Sequence, residues 1–96
     1  MPKVLRINPS DNVAVALEPV GEGEEVEVSG LKIRAKQAVP PGHKLALSYI
    51  PRGSEVVKYG SPIGKATRDI STGEWVHTHN LKGSRGRDEV QRLPEA

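Results

Sequence analysis

Cysteine is absent from the 96 residues. That excludes the disulfide staples of small secreted folds, thiolate metal sites and a cysteine nucleophile. Phenylalanine is absent as well, and the aromatic content is Trp75, Tyr49 and Tyr59. A stacking surface for single-stranded nucleic acid needs several exposed rings, so no nucleic-acid partner is expected. No apolar run follows a basic start, and none approaches the roughly 20 residues of a membrane span. The expectation is a soluble, cytoplasmic protein with no membrane partner. Sustained helical periodicity is also missing, except from Arg87 to Leu93, where about two turns of helix fit.

What the chain does have is punctuation: ten glycines and eight prolines, spread along its length. Spread turn residues point to many tight turns in one small domain. The apolar pattern has period two. Val13, Val15 and Leu17 alternate with alanines, and Leu45, Leu47 and Tyr49 share one face of a strand, with Ala46, Ser48 and Ile50 on the other. Glu25–Val28 runs into Ser29-Gly30 and returns as Leu31–Arg34. A two-residue hairpin turn there sets Glu27 opposite Lys32 and Glu25 opposite Arg34, with Val26, Val28, Leu31 and Ile33 on the buried face. A one-residue slip would spoil both the charge and the apolar register.

A second pattern recurs four times: an apolar residue, two residues, a glycine, two residues, an apolar residue. It occurs at Val20-Gly23-Val26, Val39-Gly42-Leu45, Ile50-Gly53-Val56 and Ile70-Gly73-Val76. Each reads as a type II turn feeding a strand, with glycine supplying the positive φ. The irregular spacing excludes a solenoid and fits a compact, barrel-like β fold. The folded domain is expected over residues 1–82, with 83–96 as a polar tail or linker.

Charge is uneven. Residues 1–30 carry two basic and six acidic side chains, whereas 31–68 carry eight basic ones and only Glu55. A basic middle segment suits an anionic partner, although exposed strand faces also alternate in charge. Three histidines are the main chemical candidates. His77 and His79, two apart on an expected strand, project from one face together with Trp75 and Leu81. Such a pair can chelate one metal ion, but a third ligand, Asp69, Glu74 or one from another chain, is needed. Half-buried histidines bonded to backbone are the plain alternative. His43 follows Pro40-Pro41-Gly42 at a turn, beside Lys44, where it could serve as an acid–base group or carboxylate anchor, with a turn-exposed histidine of no special role as the plainer reading. Lys58, Lys65 and Arg68 are carboxylate-binding candidates or ordinary surface charge. No nucleophile elbow, P-loop or dinucleotide fingerprint is present.

Three ordered motifs carry a resemblance. Gly42-His43-Lys44-Leu45-Ala46-Leu47, Val57-Lys58-Tyr59-Gly60-Ser61-Pro62-Ile63-Gly64 and Asp69-Ile70-Ser71-Thr72-Gly73-Glu74-Trp75-Val76-His77-Thr78-His79-Asn80 resemble successive segments of the altronate/galactarate dehydratase family, over about residues 5–81. The resemblance implies a mainly β, SAF-type domain of β-clip-like fold with short strands and little helix. It implies the small subunit of a hydro-lyase that dehydrates a sugar acid. A separate large catalytic subunit, or the remainder of a longer chain, would complete the active site, so the isolated chain is expected to be inactive. It also implies a divalent metal, Fe2+ or Mn2+, with His77 and His79 as ligands. His43 and Lys44 follow as catalytic residues, and Lys58 and Asn80 as substrate-binding residues. A sulfolactate sulfo-lyase small subunit and a non-enzymatic binding or assembly module are the alternatives.

Overall fold

The computed structural model describes residues 3–83. Residues 84–96 of the expected tail, including the helical stretch Arg87 to Leu93, lie outside the described residues. Within them the chain is strands and turns, without helix. The strands are β1 (Val4–Leu5), β2 (Val13–Ala16), β3 (Glu25–Val28), β4 (Leu31–Arg34), β5 (Lys44–Ala46), β6 (Glu55–Lys58), β7 (Ser61–Ala66), β8 (Trp75–Val76) and β9 (Leu81–Lys82). They form an antiparallel sheet of order β1-β2-β5-β8, a β3-β4 hairpin and an antiparallel sheet of order β6-β7-β9. The mainly β expectation therefore holds.

The β3-β4 hairpin has the register read from its charges: Glu25 faces Arg34, Val26 faces Ile33 and Glu27 faces Lys32. Ser29 and Gly30 both have positive φ, 52° and 78°, as a type I′ turn requires. Val26, Val28 and Ile33 are buried, but Leu31, which faces the buried Val28 at the hairpin tip, is 45% exposed. The expected strand from Leu45 to Ile50 is also shorter than its alternation implies. It stops at Ala46, so Leu45, Ala46 and Leu47 are all buried and Tyr49 points outward.

The four glycine turns share one construction. Backbone bonds from Glu24 to Gly21, His43 to Pro40, Ser54 to Pro51 and Glu74 to Ser71 close them. Gly23, Gly42, Gly53 and Gly73 all sit at φ between 82° and 87°. Each turn is preceded by a buried alanine, seven residues before its glycine: Ala16, Ala35, Ala46 and Ala66. Gly23 and Gly42 donate to Ala35 and Ala16, and Gly53 and Gly73 to Ala66 and Ala46. Val20 bridges Val39, and Ile50 bridges Ile70. The turns thus lock in two reciprocal pairs, and the second pair repeats the first about thirty positions later. The β6-β7 hairpin repeats β3-β4 likewise, with Tyr59-Gly60 where the first has Ser29-Gly30, and with one extra residue at a bulge beside Val56 and Val57.

The repeats pack as two apolar clusters. One gathers Val4, Ala14, Ala16, Val20, Val26, Ile33, Val39 and Leu45, with Trp75 against it. The other gathers Val13, Ala46, Ile50, Val56, Ala66, Ile70 and Val76, with Ile63 and Leu81. Alternate residues of β2 and β5 enter opposite clusters, so the central sheet is the wall between them. Two polar side chains replace sheet contacts. Asn12 receives Val57 N–H and donates to Glu55 C=O, covering the free edge of β6. The buried Asp11 carboxylate accepts from the amides of Asn8 and Gly60. Burial alone would raise the Asp11 carboxyl, but these amide bonds hold it below its ordinary value. No helix among the described residues is long and apolar enough to cross a membrane.

Candidate functional site

β5 and β8 lie side by side, with Lys44 opposite Val76 and Leu45 opposite Trp75. His43 closes the turn that enters β5, and His77 leaves the end of β8. The pairing therefore brings His43, Trp75 and His77 together although about thirty residues separate them in sequence. The His43 and His77 ring centres are 4.6 Å apart, and His77 stacks on Trp75 at 5.5 Å and 7°. His79 lies against the same indole at 5.0 Å. Trp75 Nε1–H donates to His43 Nδ1 at 3.2 Å. These separations are those of packed aromatic pairs.

His77 and His79 do not share a strand face as expected, because β8 ends at Val76 and residues 77–80 form a turn. Asn80 makes that turn. Its Oδ1 accepts His77 N–H at 2.9 Å and its Nδ2 donates to Trp75 C=O at 2.8 Å. Its own N–H, and that of Leu81, return to His77 C=O. Asn80 is fully buried, with its amide engaged by backbone on both sides, whereas His79 is exposed at the turn. From the other side, Gln37 Oε1 accepts Trp75 N–H at 2.9 Å. Nothing in the sequence near Gln37 signals that contact.

The cluster is electropositive. Burial holds the half-buried Lys44 ammonium below its ordinary pKa, and the Lys58 charge lowers it further. Burial also lowers His77, followed by His43, Lys44 and His79. Each is the response of a cationic group to lost water and like charge. Lys58, at the end of β6, holds its ammonium 4.6 Å from the Tyr59 ring centre. Lys65 and Arg68 are exposed.

The carboxylates near in sequence are committed elsewhere: Asp69 accepts Arg52 N–H and Glu74 accepts Ser71 N–H, each at 2.9 Å. Among the described residues the one ion pair is Lys3–Glu24, and no three His, Asp or Glu side chains come together to hold an ion. The described residues thus offer imidazoles but not a complete donor set. A groove of about 390 Å³ lies apart from this cluster, lined by residues including Lys32, Arg34 and Thr72. No histidine lines it.

Comparison with known proteins bears on what such a cluster serves. Residues 2–84 match the family model described as altronate/galactarate dehydratase SAF domain. The chain is 43% identical over 82 residues to an altronate dehydratase of Bacillus subtilis (strain 168), and 47% identical over 78 residues to one of Escherichia coli (strain K12). These alignments take in 85% and 81% of this chain but 16% of each relative. It is also 44% identical over 57 residues to the (2R)-sulfolactate sulfo-lyase subunit alpha of Paracoccus pantotrophus, across 59% of this chain and 85% of that subunit.

Proposed function

The chain belongs to the altronate/galactarate dehydratase SAF domain family, and from that premise we propose that it is the small, N-terminal-type part of a hydro-lyase acting on a sugar acid such as altronate or galactarate. A larger catalytic subunit or domain completes the active site. One observation carries the reading: His43, His77 and His79 pack on Trp75, the Lys44 charge reaches His77 and the Lys58 charge reaches Lys44, and among the described residues none of these five side chains is in an ion pair. A field of that sign, left unneutralised by the protein itself, attracts an anionic ligand.

Removing water from a 2,3-dihydroxy acid requires a base at the carbon next to the carboxylate and an acid at the departing hydroxyl. Lys58 binds the substrate carboxylate. Lys44, partly desolvated, neutralises negative charge as it spreads into the enediolate. His43 polarises the leaving hydroxyl by a hydrogen bond from its ring N–H, and the acid that protonates that hydroxyl belongs to the larger part. Asn80 acts by holding the 77–80 turn under His77 and His79. The base belongs to the larger part. A divalent ion, Fe2+ or Mn2+, would take His77 and His79 as imidazole ligands, with oxygen ligands from outside this chain, and would polarise a substrate oxygen when bound. A second reading, the small subunit of a sulfolactate sulfo-lyase, draws on the likeness to a subunit that is itself a separate small chain.

The test is a hybrid enzyme in which this chain replaces the matching segment of the Escherichia coli altronate dehydratase. The hybrid is expected to convert altronate, and the 96-residue chain alone is expected to convert none. A folded hybrid inactive on altronate and galactarate but active on sulfolactate selects the second reading, and turnover by the chain alone refutes both.

A further inference from the structure

The contact between Trp75 and His43 decides which nitrogen of His43 bears its proton. We propose that Trp75 is a positioning residue that holds His43 in the tautomer with hydrogen on Nε2, so that His43 presents a hydrogen-bond donor to a substrate oxygen and stays outside any metal's ligand set. An indole N–H only donates. The nitrogen it meets, His43 Nδ1 at 3.2 Å, must therefore offer a lone pair. A neutral imidazole has one ring proton, which then sits on Nε2. To ligate a metal through Nε2, the ring would have to move that proton to Nδ1. There it would meet the indole N–H head on, losing one hydrogen bond and opposing two donors.

The indole is not free to move aside. Trp75 is in register with Leu45 across the β5-β8 pair, its backbone N–H is bonded to Gln37, and its ring packs on the first apolar cluster and stacks on His77. No such donor meets the ring nitrogens of His77 or His79 among the described residues. The three histidines therefore divide into one hydrogen-bond donor and two lone-pair donors, although all touch the same indole. The substrate's part in this rests on the function proposed above; the tautomer is a property of the chain alone.

The experiment uses the full chain with 15N-labelled histidine, and long-range proton–nitrogen correlation near pH 8, where imidazoles are neutral. The expected result is that only the Nε2–H form of His43 is detected. On adding Zn2+ alone as the probe, the ring nitrogens of His77 and His79 shift while those of His43 do not. In Trp75→Phe the Nδ1–H form of His43 appears and Zn2+ now shifts its ring nitrogens. Detection of the Nδ1–H form of His43 in the unaltered chain, with or without Zn2+, overturns the proposal, and those arms decide it even where Trp75→Phe fails to fold. Zn2+ leaving all three histidines unchanged counts against the metal reading above, while the tautomer result stands by itself.

Discussion

Replacing Asn80 with alanine removes the one side chain that ties both ends of the site turn. Two backbone groups lose their partners, His77 N–H and Trp75 C=O. Each buried polar group left unpaired costs about 1–3 kcal/mol, so the pair amounts to about 2–6 kcal/mol if water stays out. His77 and Trp75 are only half buried, and water can reach the opened space, so the lower half of that range is expected, about 2–4 kcal/mol. Domains of this size have about 5–10 kcal/mol in total, so the variant should fold but unfold at a clearly lower urea midpoint. Asn80→Asp sharpens the test. Its carboxylate still accepts from His77 N–H but turns a second oxygen toward the Trp75 carbonyl. Folding then favours the protonated acid, whose O–H replaces the amide donor. The deficit relative to wild type is therefore smallest below the ordinary carboxyl pKa of about 4 and grows as pH rises through the raised folded value. Urea unfolding of the three proteins at several pH values reads both effects. An Asn80→Ala midpoint equal to wild type, or an Asn80→Asp deficit that does not change with pH, would refute the role given to this amide.

Gly53→Ala meets open space and only the positive-φ penalty, about 1–2 kcal/mol, whereas Gly73→Ala also drives a methyl into the Arg34 carbonyl; urea unfolding should show it to cost at least about twice as much, and equal losses would contradict the packing described here. Because folding holds His77 below its ordinary pKa, folding favours the neutral ring. That contribution is present above about pH 6.5 and is lost as pH falls through the folded value, so stability should drop as pH is taken below about 6.5, with a smaller drop in His77→Gln, and identical slopes would argue against it. In the hybrid enzyme, His77→Ala and His79→Ala should each fold normally, with metal content or altronate turnover reduced about a hundredfold; variants that fold, retain metal and turn over normally would remove these histidines from the site.

The hairpin register and the four turns were legible because each rests on local chemistry. Opposed charges fix Glu25 to Arg34, and only glycine sits comfortably at φ near 85°. The upstream alanines were not, since a small buried residue has no sequence signature until its carbonyl is seen to receive a glycine amide from another turn. The sequence singles out His77 and His79, but on a strand that ends before them, at Val76. Alternation in sequence cannot reveal that a buried asparagine amide captures the backbone after Val76 and turns it. Trp75 and His43 lie far apart in sequence, and nothing in either neighbourhood announces a bond between them. The wider assignment came from three motifs read together, which specify a family where single histidines specify little.

The reciprocal turns have a consequence for how the site came to hold unlike chemistry. In the alignment of the two repeats, His43, Lys44 and Leu45 of the first occupy the places of Glu74, Trp75 and Val76 in the second. These equivalent segments run antiparallel beside each other, Lys44 against Val76 and Leu45 against Trp75, so a pseudo-twofold axis passes between them. A residue on such an axis has its own counterpart as a neighbour. Change at one position is immediately set beside what the other retains, and a like pair becomes an unlike pair with no rearrangement of the backbone. Across this seam the imidazole of His43, whose counterpart is Glu74, meets the indole of Trp75, whose counterpart is Lys44, so two halves of the same backbone shape carry a chemically one-sided site.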